Sequence, residues 1–295
     1  MTANECRDRL KVLIHRRVGD GAGTQWLEAQ LGSARADAVG GVMAEVGRRL
    51  GRRPLIAGFA ERTDAKTEGV YGEMRVGHWG TDEAARTLLL AAAVEGTEAP
   101  FSALFNLYDQ GETETRVAAL RAINFVVDAD AQAGMNLVHD AGRTYLSELM
   151  DAAWCNNPFT AQHMTNQEYR KAVLKSLFCE IPIDGFLGLS DRADQEMAES
   201  LQDFADERAA AGRVIPSAVW IVAAVHPRPG LVARLLGLIE HPAEEERLTA
   251  ARALANARDT RALSFMQERL TRETHAEVRD ALTAAIERTR SKDAQ

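Results

Sequence analysis

Apolar residues recur at helical spacing along nearly the whole chain, and no stretch alternates convincingly with period two. That property argues against a core built on sheets and points to amphipathic helices packed by their apolar stripes. Residues 84–90 form an Ala/Leu run introduced by Thr81, Asp82 and Glu83, and acidic residues suit the positive end of a helix. Residues 115–127 carry Val117, Leu120 and Phe125 on a broad face, and residues 168–178 carry Val173, Leu174, Leu177 and Phe178. Residues 195–211 place Met197, Leu201, Phe204 and Ala205 inward and acidic groups outward. Alanine is abundant and β-branched residues are few, as a helix-rich chain prefers. Breaks fall at 19–23, 51–54, 69–80, 96–100, 156–158, 182–189, 212–216 and 226–230. The longest of them, 69–80 (GVYGEMRVGHWG), has room for a short hairpin but reads as loop.

Three segments share one internal phase: residues 115–123, 246–254 and 278–286. Arg stands second in each (Arg116, Arg247, Arg279), Ala eighth (Ala122, Ala253, Ala285), and Ile or Leu ninth (Ile123, Leu254, Ile286). Small alanines let helices approach closely while the aliphatic residue fills the seam, as in the inner helix of HEAT-type repeats. The plainer alternative is that Ala/Leu/Arg-rich helices resemble one another by composition. The end of the chain reads as four helices, 231–241, 244–256, 260–270 and 275–288, which would make two stacked hairpins. The expected organisation is an N-terminal helical region with loops (1–80), a helical core (81–226) and C-terminal HEAT-like repeats (227–295), sharing one continuous core.

At 295 residues the chain can bury roughly three-quarters of its unfolded surface and needs no staples. Its three cysteines form no CxxC pair, which excludes a disulfide framework or zinc knuckle. The net charge of −8 argues against bulk attraction to nucleic acid, and no nucleic-acid partner is expected. The N-terminus is charged and lacks an apolar signal core. The longest apolar stretch, 214–225, is interrupted by Pro216 and falls short of the ~20 residues that span a bilayer. A cytoplasmic protein with no direct membrane insertion is the expectation.

Reactive motifs are scarce. Residues 19–24 look like a phosphate loop but lack the Lys-Ser/Thr pair and a preceding strand, so a flexible connection is the better reading. Arg48, Arg49, Arg52 and Arg53, with Arg16 and Arg17 in support, could hold an anion or simply form a solvated helix end. The seven histidines show no HxxxH or HExxH spacing, and there is no GxSxG, so no metal and no cofactor is expected. The central segment stands apart. Asn156-Asn157-Pro158-Phe159 reads either as a structural Asx-Pro corner or as one wall of a ligand groove. Lys175, Arg192, Asp206, Glu207, Arg208 and Arg213 come after it, mostly on helices that also carry aromatics.

These residues resemble the EboA-type metabolite-traffic family. The resemblance rests on Asn157-Pro158-Phe159-Thr160-Ala161, residues 173–178 (VLKSLF), Ile181-Pro182-Ile183, residues 188–193 (GLSDRA) and residues 204–213 (FADERAAAGR). Residues 81–86 and Leu120-Arg121-Ala122 extend it over about 80–225. Phe159 stands where the family commonly has Tyr, Ser176 replaces a usual Ala, and the stretch after Pro227 looks like generic HEAT repeats. The resemblance implies a helical protein encoded beside pathway enzymes, with a role in moving specialised-metabolite precursors. It implies no particular reaction.

The expectation is therefore an all-α chain, a HEAT-like α-solenoid of stacked antiparallel helix pairs. Its curved face would collect Arg121, Lys175, Arg192, Arg208 and Arg213 among Tyr145, Phe159, Phe178 and Trp220, with Asn157 and Glu207 completing the ligand set. The first reading is a binding or scaffold protein for a small organic metabolite or pathway intermediate, with operon-encoded enzymes as further partners. The second is a cofactor-free isomerase, cyclase or hydrolase using Glu207, Asp206, His163 or Tyr169 as acid and base. A nucleic-acid-binding HEAT protein ranks third.

Overall fold

Thr2 and Glu5 close a capping box, each side chain bonding the other's backbone N–H, and this starts the first helix at Ala3. The computed structural model describes residues 2–292. The N-terminal stretch forms α1 (Ala3–Val18), α2 (Ala22–Gly32), α3 (Gly40–Leu50) and the single turn α4 (Phe59–Arg62). A hairpin, β1 (Lys66–Gly69) and β2 (Gly72–Arg75), comes next. It leads to α5 (Thr81–Val94), α6 (Pro100–Asp109), α7 (Thr113–Ala122), α8 (Ala131–Arg143), α9 (Ser147–Trp154), α10 (Pro158–His163) and α11 (Asn166–Phe178). The remainder holds α12 (Gln195–Ala210), α13 (Ser217–Ala223), α14 (Leu231–Leu238), α15 (Glu244–Ala257), α16 (Leu263–Arg272) and α17 (Ala276–Lys292). Among the described residues the hairpin is the only sheet, so the chain is all-helical in class.

The hairpin corrects the expectation of a loop over 69–80. Its strands pair antiparallel from Lys66↔Arg75 to Gly69↔Gly72. Both are short and charged, so no apolar alternation marks them. Docking supplies what patterning lacks. Thr67 and Met74 are buried, and the Val70 amide donates to the Asn124 carbonyl at 2.7 Å. A Cβ at Gly69 would lie 2.7 Å from that same carbonyl, so glycine is needed for the approach.

The chain divides into two compact units. The first gathers the chain up to Ala172 with Cys179–Ile181 and Gly185–Leu187, and the second gathers Val173–Phe178, Pro182–Asp184 and the chain from Gly188 on. In the first, α5 is nearly all buried and packs against α1, α2, α3, α6 and α7. In turn α7 packs against α9, while α6 and α8 pair beside them. Phe159 on α10 is fully buried, with ring contacts to Tyr71 at 5.0 Å and Phe101 at 5.2 Å. Each such edge-on pair contributes about 0.5–1.5 kcal/mol beyond its buried area.

Gly134 on α8 abuts this aromatic cluster. An added Cβ would lie 2.5 Å from Phe159 Cζ and 2.9 Å from Phe101 Cδ2. Both rings are fully buried and cannot swing away. Gly134→Ala is therefore expected to destabilise by about 1–3 kcal/mol through overpacking, although alanine alone favours a helix by about 1 kcal/mol. Urea denaturation checks this, and an unchanged or raised midpoint would contradict the packing argument.

In the second unit α13 packs on α12 and α15, α15 on α17, and α14 and α16 lie against α15 and α17 respectively. The four helices expected from 231 onward are all present. The arginine shared at the second repeat place does the same task twice. Arg247 donates to the His241 and Pro242 carbonyls, and Arg279 donates to the Leu270 and Glu273 carbonyls. Each reaches back to cap the segment that precedes its own helix. The third copy differs: Arg116 donates to Tyr108 Oη and Asp140, and its guanidinium lies 4.4 Å from the Tyr108 ring centroid.

Candidate functional site

Arg121, at the end of α7, is a heavily engaged cation of the first unit. It is 2% exposed. Nη2 donates to Asp151 Oδ2 at 2.6 Å and to His78 Nε2 at 3.2 Å. Nη1 donates to the Cys155 carbonyl at 2.8 Å, Nε lies 3.4 Å from Glu83 Oε1, and the guanidinium sits 5.5 Å from the centre of the Trp79 ring.

Local structure places each partner. Glu83 lies in the first turn of α5, where the helix end favours an anion. His78 succeeds Gly77, whose missing side chain permits contact with α4; a Cβ there would lie 1.8 Å from the Arg62 carbonyl oxygen. Trp79 is fully buried, and its carbonyl accepts from the Leu55 amide at 2.8 Å. Asp151 comes from α9. Asn156, with φ 51°, turns the chain just after Cys155 so that its amide meets the Gly185 carbonyl at 2.7 Å.

The electrostatics arise from this arrangement. Burial raises the Glu83 carboxyl above its ordinary range, and Arg121 opposes the rise. Burial and then the Arg121 charge hold the His78 imidazole down to about 4, with Asp151 pulling the other way. The ring is therefore neutral at physiological pH. Part of His78 and 37% of the Asp151 side chain nevertheless reach solvent.

The residues expected to line a groove divide between the two units. Arg121, Asn157 and Phe159 lie buried in the first. Asn157 caps α10 by accepting from the Thr160 amide and from Asn124, and donates to the Leu120 and Ala152 carbonyls. Of its two sequence readings, the structural corner is what this geometry supplies. In the second unit, Phe178 is 71% exposed and meets the Phe204 ring edge-on at 5.9 Å. Arg208 lies over the same ring at 5.5 Å and donates to the Val214 carbonyl, while the Arg213 amide bonds the Arg208 carbonyl. Phe178, Arg208 and Arg213 are thus brought together. Lys175 and Arg192 are half-buried and Glu207 is exposed.

The acid–base candidates are scattered. Tyr169 is buried and donates to the Leu187 carbonyl, Asp206 is paired with Arg234 at 2.7 Å, and His163 packs its ring on Phe159. A cleft of about 470 Å³ between α3, α5 and α7 holds Arg52 and Arg86, which Glu114 and Asp82 already match. Among the described residues no group of three or more His, Cys, Asp or Glu could hold a metal ion, and no helix is long and apolar enough to cross a membrane.

His78, Glu83 and Asp151 escaped sequence reasoning. The available signal was His-Trp inside a glycine-rich break directly before an acidic helix start, beside an arginine in an otherwise apolar stretch at 121. Fold and cluster together define an all-helical protein with one interior arginine that gathers a histidine and two carboxylates. The family described as metabolite traffic protein EboA matches residues 7–224, and the chain belongs to that family. No curated protein and no solved structure matches the chain.

Proposed function

We propose that this EboA-family chain is a non-catalytic binding or scaffold protein. It holds a specialised-metabolite precursor during traffic, in the cytoplasm and in company with operon-encoded enzymes, on helices stacked as a HEAT-like solenoid. The repeated task of Arg247 and Arg279 supports the stacking, because equivalent residues capping equivalent ends is what repeats produce. One observation carries the binding reading. The histidine of the accessible cluster has its lone pair occupied by Arg121, so its Nε2 is not available as a base. Held groups of this kind recognise a ligand well and transfer protons poorly.

A cofactor-free enzyme is the second reading, and the partly exposed Asp151 carboxylate favours it over the scattered candidates. Native mass spectrometry of the protein purified from its own host separates the two. The expected result is a small molecule that is retained, then released unchanged, with retention reduced at least about tenfold in Asp151→Asn, the worth of one charge-assisted hydrogen bond. Conversion of the retained compound to a new product, abolished by the same substitution, would replace the binding reading with the enzymatic one.

A further inference from the structure

Arginine carries N–H donors and no acceptor. The contact between Arg121 Nη2 and His78 Nε2 therefore has one polarity, with Nε2 accepting. A neutral imidazole whose Nε2 accepts bears its proton on Nδ1. The same Nη2 binds Asp151 through Oδ2, so imidazole and carboxylate are neighbours and the carboxylate keeps Oδ1 for another partner. Both side chains reach solvent. The imidazole thus has a donor to offer and the carboxylate an acceptor, on two side chains tied to the same Nη2.

We propose that His78 Nδ1–H and Asp151 Oδ1 form a donor–acceptor pair that recognises an uncharged group carrying both a proton and a lone pair, a hydroxyl or carboxamide, on the organic ligand. This rests on the binding reading above and names its ligand class. A carboxylate or phosphate on the ligand would meet the charges of Asp151 and Glu83, while the buried Arg121 is already bonded to Asp151 and the Cys155 carbonyl and ion-paired with Glu83 at 3.4 Å. An ammonium group would satisfy Asp151 but oppose the Nδ1 proton. The anionic ligand expected from the arginine count is therefore the disfavoured one at this cluster.

Two measurements on the full chain test the assignment. Long-range ¹H–¹⁵N correlation of histidine-labelled protein is expected to show His78 protonated at Nδ1 with a pyridine-like Nε2; an Nε2–H tautomer overturns the proposal. The labelled protein is then titrated with 3-phenylpropanol, 3-phenylpropanoate and 3-phenylpropylammonium. The alcohol is expected to shift the Nδ1 resonance and to bind about tenfold more tightly than either ion, the scale of one neutral hydrogen bond. His78→Phe, at an exposed position, is expected to remove that preference while leaving the helical circular dichroism unchanged. A tighter carboxylate, or no response to the alcohol, overturns the ligand class. Retention by host-purified protein decides separately whether the chain binds a metabolite at all.

Discussion

Arg121→Met is expected to lower stability by about 3 kcal/mol or more, the range for removing one partner of a buried ion pair. Methionine keeps much of the aliphatic stem, so the loss reports the charge and its bonds rather than a cavity. Asp151, His78 Nε2 and the Cys155 carbonyl lose their donor, and Glu83 loses the cation 3.4 Å away. Asp151 recovers water because its side chain is 37% exposed, whereas Glu83 is 23% exposed and the carbonyl is buried. The deficit should accordingly be dominated by Glu83. The folded-state pKa of Glu83 is already raised by burial, so its ionisation opposes folding as pH climbs past the ordinary carboxylate range. Without Arg121 the rise is larger, and the deficit of the variant is expected to shrink between pH 7 and pH 5. Urea denaturation at both values reads it; a deficit that is constant or grows on acidification contradicts the assignment to Glu83.

Glu273→Gln is expected to have a comparable effect in the second unit, about 3–5 kcal/mol. The Glu273 side chain is fully buried, receives Arg247 Nε at 2.8 Å and Nη2 at 3.1 Å, and receives Arg269 Nη2 at 2.6 Å. The Thr274 and His275 amides donate to Oε1 as well. The Arg247 bonds, with the His275 amide and Arg269, hold its pKa down to about 2 against the opposing effect of burial. A depressed carboxylate pKa stabilises the fold above the unfolded value near 4.5 and loses that contribution as pH falls toward about 2. Wild-type stability should drop across that acid window, and the Gln variant should show a flatter profile there. Thermal melts at pH 7, 4.5 and 3 decide it, since equal slopes for both proteins would mean that another group carries the acid sensitivity.

Helices were legible in the sequence because burial acts on one face at a time, and a 3.6-residue stripe survives in the primary order. The four C-terminal helices, the acidic start of α5 and the Asn157 corner all show this. The hairpin was not legible because its stability comes from contact with α1 and the Asn124 carbonyl, which no local pattern encodes. The cluster was hidden for a related reason. Arg121 lies 43 positions from His78 and 30 from Asp151, and three elements must pack before those groups meet. Arg121 itself was visible as an unusual cation, yet composition cannot say whether an arginine faces a ligand or two carboxylates of its own chain. Phe159 was equally visible, and its neighbours Tyr71, Phe101 and Gly134 are what turn it into core.

The stretch shared with the family stops at residue 224, just past α13, while the second unit continues through α14–α17. α13 depends on the helices C-terminal to it. Arg234 covers the Trp220 ring at 4.5 Å, Asn256 bonds the Ile221 carbonyl at 2.9 Å, and α15 packs along the same helix. Cutting the polypeptide at the family limit would strip Val219, Trp220 and Val222 of their cover and leave a sticky face where a core had been. Anyone shortening, grafting or swapping this protein must therefore carry the C-terminal helices along, because α13 is covered by residues that follow it in the chain.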